Sequence, residues 1–281
     1  MSYIKAVILM DRVPNENIYA MIATLLICCL FPIVLWIFFA RYRKKKRLST
    51  AVIAGAIGFI LPQMVIRIPI LQLLSRNERW ISFCENNTLI AIAIFAVTAA
   101  LFETAGRLLV FKGILRKRLS YNTALGAGLG HGGAESIGLV GLTYVNNLIF
   151  SVMINTGALP DFDGMPEIRD ALIGTPATTF LAAGVERAST VAFHIALSVL
   201  LCLFIMRGRA VLGATVCFAI HFIVDFFIPL IIKNGLSIWF TEGIIFIIAI
   251  ISILLVLRLE RLYNVIEVPK DEAETALEQG Y

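Results

Sequence analysis

The chain has 281 residues, of which 59% are hydrophobic and 15% charged, and its formal net charge is +5. A soluble domain carries roughly 45–50% apolar and about 25% charged residues, so too little polar surface exists here to cover a water-soluble globule. A mean hydropathy of +0.88 and apolar blocks of membrane-crossing length exclude a soluble enzyme and indicate an all-α, polytopic transmembrane helical bundle in the cell membrane.

About seven spans are expected, in chain order near Ile18–Ala40, Ser49–Leu74, Thr88–Phe111, Thr123–Asn155, Ala177–Met206, Ala210–Lys233 and Ile238–Leu257. The first is too long for a signal-peptide core, and the stop-transfer cluster Arg41, Arg43, Lys44, Lys45, Lys46 and Arg47 follows it. With that cluster inside, Arg116, Lys117, Arg118, Arg207, Arg209, Arg258 and Arg261 also fall inside, so the N-terminus is expected outside and the C-terminus in the cytoplasm. Trp80 and Trp239 then lie at outer interfaces. Basic residues placed this way set topology, and no aromatic-interleaved basic surface for nucleic acid accompanies them.

The connection from about Thr156 to Pro176, with Pro160, Asp161, Asp163, Gly164 and Pro166, is expected to be a loop. Residues 1–262 read as a single membrane domain. Residues 263–281, carrying Glu267, Asp271, Glu272, Glu274 and Glu278, read as an acidic cytoplasmic tail. Cys28, Cys29, Cys202 and Cys217 lie in spans and Cys84 in a connecting loop. No CxxC spacing occurs, so neither a thiolate metal site nor a disulfide framework is indicated.

Any chemistry therefore belongs inside the bundle, where each ionisable side chain costs about 2.5–3.5 kcal/mol on insertion scales and needs a reason. Arg67, Glu103, Arg107, His131, Glu135, Glu186, Arg187, His194, His221 and Asp225 all fall in spans, and they include all three histidines of the chain. Glu103 and Arg107, His131 and Glu135, and His221 and Asp225 are each four apart, so each pair shares a helix face. At a rise of about 1.5 Å per residue, Glu103 and His131 lie roughly 12 Å from the cytoplasmic ends of their spans, and Glu135, His194 and His221 roughly 16–18 Å. Four spans thus present His or Glu in one slab. Arg67, Glu186 and Arg187 lie nearer the outer side, where snorkelling or an Arg67–Glu186 pair would satisfy them.

Interhelical hydrogen bonds are the ordinary role of a lone intramembrane histidine, but agreement in depth favours a site. Imidazoles and carboxylates suit zinc, with His131, Glu135, His194 and His221 as candidate ligands and a nearby carboxylate as general base. His221 with Asp225, or Arg107, would stabilise an oxyanion. A metal-free route with Glu103 activating water is equally drawable. Gly126, Gly128, Gly130, Gly132 and Gly133 surround His131. They formally match a dinucleotide motif, but no strand precedes them, so close helix packing is expected, or else a cleft for an extended chain. Pro32, Pro62, Pro69 and Pro229 are expected to kink their spans, with Gln63–Arg67 a candidate broken helix.

The stretch Gly-Leu-Gly-His-Gly-Gly-Ala-Glu at 128–135, Glu186-Arg187 followed by His194, and His221-x-x-x-Asp225 resemble the YhfC family. That family is grouped with the CAAX-protease and bacteriocin-processing enzymes and with PrsW, all intramembrane proteases. The resemblance covers roughly the third span onward and implies a membrane-embedded glutamate- or metal-dependent endopeptidase. It implies that Glu103 and Arg107 form the first motif, although Phe102 stands where a second glutamate is usual. Glu135 falls at the second motif's active-site position with His131 one turn earlier, and His194, His221 and Asp225 fit the later motifs. The expected function is therefore hydrolysis of a membrane-protein or peptide substrate, with Zn2+ or a glutamate-activated water. The alternative is a non-enzymatic transporter or proton- or metal-binding membrane protein. A transporter should carry an internal repeat, and His131-x-x-x-Glu135 against His221-x-x-x-Asp225 is only a weak echo of one.

Overall fold

A computed structural model describes residues 12–43, 47–158 and 164–278. Seven helices in it are long and apolar enough to cross a membrane: Asn15–Tyr42, Leu48–Leu74, Thr88–Ile114, Tyr121–Thr156, Ala177–Met206, Ala210–Lys233 and Ile238–Val265. They agree with the seven expected spans to within a few residues at most ends. The chain is an all-α, multi-pass membrane protein, with no strand among the described residues. Lys44–Lys46 of the basic cluster lie outside the described residues, and the helix of the last span continues to Glu278 through most of the acidic tail.

Local chemistry accounts for where several elements begin. The fourth span opens with a capping box in which Ser120 Oγ accepts from the Thr123 amide at 3.3 Å and Thr123 Oγ1 accepts from the Ser120 amide at 2.9 Å. Between the second and third spans runs the short helix Glu78–Asn86, capped by the Asn77 side chain, which accepts from the amides of Arg79 and Trp80. Cys84 therefore sits on a helix and not in a loop. The connection from Thr156 to Pro176 also holds a helix, Met165–Gly174. Pro166 and Glu167 suit its first turn, and Met165 and Leu172 lie seven apart on one buried face. The loop expectation counted the turn residues before it and missed that short face, while residues 159–163 lie outside the described chain.

Three spans widen locally into π-helix, at Ile60–Arg67, Leu109–Ile114 and Ser136–Gly141. The first is the segment expected to break between Pro62 and Pro69. It stays helical because a wider turn accommodates the proline ring and its missing N–H without interrupting the rod.

The fifth span is the most buried of the seven and stands at the centre, packed against the first, fourth, sixth and seventh. The fourth packs on its other side against the second, and there the glycines do what the packing reading expects. A Cβ at Gly130 would collide with the carbonyl oxygen of Val52, and between the third and second spans one at Gly106 would collide with that of Gly58. The backbones touch, so only glycine fits.

Polar pins add direction where burial of apolar surface gives no drive between helices in lipid. Asn17 donates from Nδ2 to the carbonyls of Leu172 at 3.0 Å and Thr175 at 2.9 Å, and Thr24 Oγ1 donates to that of Phe180 at 2.6 Å. The buried Tyr263 hydroxyl donates to the Val199 carbonyl at 2.8 Å, tying the seventh span to the fifth. Tyr263→Phe is expected to cost about 1 kcal/mol, read as a lower thermal midpoint in detergent.

Candidate metal centre

The third, fourth, fifth and sixth spans bring the expected residues to one place. Glu103 comes from the third span, His131 from the fourth, His194 from the fifth and His221 from the sixth, and all four side chains are buried. One carboxylate oxygen is their common point. Glu103 Oε2 lies 3.0 Å from His131 Nε2, 3.6 Å from His194 Nδ1 and 3.6 Å from His221 Nδ1. Phe193 packs edge-on to both His194 and His221, and Phe59 edge-on to His131. These rings keep the imidazole planes in position.

Two carboxylates stand behind the histidines. Glu135 Oε2 meets His194 Nε2, and Asp225 Oδ2 lies 3.4 Å from His221 Nε2. In both rings the nitrogen facing Glu103 is thus Nδ1, with a carboxylate holding the far side. Glu135 is itself held by Arg187, whose Nη1 donates to Oε1 at 2.7 Å while its Nη2 donates to Glu186. Arg67 does not reach for Glu186. Its Nε donates to Thr98 Oγ1 at 3.1 Å, Nη2 to the Phe95 carbonyl at 2.8 Å and Nη1 to Gln63 Oε1 at 3.2 Å.

Arg107 enters the cluster from below. Its Nη2 lies 2.6 Å from His194 Nδ1 and 3.4 Å from Glu103 Oε2, while Nε and Nη1 are buried without a hydrogen-bond partner. A guanidinium has only donors, so Nδ1 accepts from it, and the proton of a neutral His194 ring sits on Nε2, facing Glu135.

The donor set fits a small divalent cation. Ligand atoms of Glu103, His131 and His194 all lie within 4.8 Å of one another. Zinc bonds of about 2.0–2.1 Å give a tetrahedral ligand–ligand edge of about 3.3 Å, and the separations of 3.0, 3.6 and 3.6 Å around Glu103 Oε2 bracket it. His221 Nδ1 is buried with no hydrogen-bond partner, as a nitrogen kept for a ligand would be. A carboxylate on the far nitrogen is also the usual support for a ligating histidine. An ion on His194 Nδ1 would require Arg107 to release the same lone pair.

A cavity of about 290 Å³ opens on the cluster, with Glu135, Arg187, His221, Asp225, Arg67 and Glu103 among its lining. From the sequence, Glu103 is expected among the catalytic groups and Glu135 among both the catalytic groups and the ligands. In the structure Glu103 occupies the centre of the imidazoles and Glu135 the outer side of His194. Gln63, whose Nε2 donates to Glu103 Oε1 at 2.7 Å, was read only as part of a broken helix. An amide inside a span, one turn from an arginine, was the available signal.

Among the described residues, seven helices long and apolar enough to cross a membrane and a buried Glu/His/His cluster able to hold a metal ion define a multi-pass membrane protein with a candidate metal site. The profile of the YhfC intramembrane metalloprotease family matches residues 27–255, and the chain belongs to that family. The curated "Uncharacterized membrane protein YhfC" of Bacillus subtilis (strain 168) is 26% identical over 179 residues, covering 59% of this chain and 67% of that one. No solved structure matches the chain.

Proposed function

We propose that the chain hydrolyses a peptide bond of a membrane-embedded substrate in the cavity beside His194 and His221, using a zinc-type ion. The observation that carries this reading is the convergence of Glu103, His131 and His194 ligand atoms beneath a cavity walled by further carboxylates. Glu103, His131, His194 and His221 would hold the ion. When bound, it supplies Lewis acidity that polarises a carbonyl and acidifies water.

The remaining steps belong to side chains of this chain. Glu135 lines the cavity, and it is the general base that takes a proton from the attacking water and returns it to the leaving amine. Arg187 holds Glu135 in place through Oε1. Asp225 orients His221 through Nε2 and keeps Nδ1 toward Glu103. Phe193, Ile245 and Ile248 supply an apolar wall for an extended chain and reduce water in the cleft. With the N-terminus outside, as the basic loops favour, the cavity lies on the outer side of the cluster, where Arg67, Glu186 and Arg187 line it.

The test is cleavage of candidate transmembrane peptides by the purified protein in liposomes. Wild type is expected to cleave, to stop on chelation and to recover with zinc. At saturating zinc, Glu135→Gln is expected to lower kcat by about 10²–10⁴-fold. Equal cleavage by Glu135→Gln and wild type would remove the assigned base and, with it, this mechanism.

A further inference from the structure

We infer that Gln63, braced by Arg67, is a positioning residue for Glu103: it fixes the rotation of that carboxylate so that one oxygen faces the three imidazoles. The inference rests on the metal-centre reading above and extends it to a second layer of side chains on the second span.

The geometry is a strut of three side chains. The Phe95 carbonyl and Thr98 Oγ1, both on the third span, take Arg67 Nη2 at 2.8 Å and Nε at 3.1 Å. Arg67 Nη1 then donates to Gln63 Oε1 at 3.2 Å. An arginine only donates, so it captures the amide oxygen and turns the amide nitrogen the other way. That nitrogen donates to Glu103 Oε1 at 2.7 Å, in a site where Gln63 is 3% exposed.

A glutamate needs such a partner here. The terminal torsion of a glutamate is broad, so a carboxylate gripped through one oxygen alone twists about its Cγ–Cδ bond. With Oε1 engaged by Gln63, Oε2 is left to His131, His194 and His221 at 3.0, 3.6 and 3.6 Å. The π-helical segment Ile60–Arg67 carries both Gln63 and Arg67, which lie four residues apart, and its wide turn sets them on the third span together. An apolar residue at 63 would fill the same space in lipid without difficulty. The amide is what the sequence spends polarity on.

The experiment is zinc titration of the purified full-length protein in detergent, by competition with a fluorescent chelator. Gln63→Met preserves length and burial but removes the amide. It is expected to raise the zinc dissociation constant by about 10–100-fold with the stoichiometry unchanged. Arg67→Lys keeps the charge and loses the fork, and it is expected to raise the constant by up to about 10-fold. It carries the test if Gln63→Met does not fold. In a Glu103→Gln background, Gln63→Met is expected to add nothing, because the carboxylate it orients is gone. A purely structural glutamine would lower the thermal midpoint and leave zinc affinity alone. Wild-type affinity in both variants, or an effect of Gln63→Met that adds fully to that of Glu103→Gln, overturns the inference while leaving the metal centre standing. A wild type that binds no zinc overturns the metal centre and the inference together.

Discussion

Glu103→Gln is expected to weaken zinc binding by more than about 100-fold, beyond what loss of a supporting partner usually costs. The substitution keeps shape and burial and removes only the charge. That charge sits where it has most effect, because Oε2 lies within 3.6 Å of a nitrogen on each of the three histidines. The same oxygen lies 3.4 Å from Arg107, so it also offsets a buried guanidinium two of whose nitrogens have no hydrogen-bond partner. Metal-free protein should therefore lose stability as well, by about 3–5 kcal/mol, the usual result of removing one member of a buried charged pair. Zinc titration and thermal unfolding in detergent, measured on the same preparations, separate the two effects. An unchanged zinc affinity would take Glu103 out of the ligand set.

Gly130→Ala is expected to cost about 3 kcal/mol or more, at the upper end of overpacking penalties, because the atom in the way is backbone. The added Cβ would meet the Val52 carbonyl oxygen, and no rotamer change relieves that; the second and fourth spans must move apart. His131 follows Gly130 directly, so its distance from Glu103 opens in the same movement and zinc affinity falls with stability. Gly106→Ala, against the Gly58 carbonyl, should behave alike from the third span. Gly243→Ala is the control, since a Cβ there meets nothing within 4 Å and replaces glycine with a better helix former. A Gly130→Ala protein as stable as the control would mean that the two spans are not packed backbone to backbone.

The spans were legible because a run of about 20 apolar residues has few alternatives to crossing a bilayer. The convergence of Glu103, His131, His194 and His221 was legible for a related reason: polarity at depth is costly, and equal depth on four spans leaves little room for coincidence. What periodicity could not supply was rotation. Whether Glu103 or Glu135 faces the imidazoles depends on how far each helix turns about its own axis, and a residue count yields depth but not azimuth. Three π-helical segments make that loss worse, since each breaks the 3.6-residue count that face assignments rely on. Gln63 lies inside one of them. The helix Met165–Gly174 was missed for a different reason: one short buried face was outweighed by the prolines, glycine and aspartates around it.

Those widened turns have a consequence for how much one span can do. A π turn takes up one residue more than an α turn, so everything after it is rotated by about 100° relative to an uninterrupted helix. In the second span, the half before Ile60 lies close against neighbouring backbones through Gly55 and Gly58. The half from Pro62 to Arg67 turns its amide and guanidinium to the third span and the cavity. One uninterrupted rod would have to choose between an adhesive face and a polar one along a single stripe. The extra residue works as a phase shift, letting a single crossing serve as a seam in one half and as a wall of the cavity in the other.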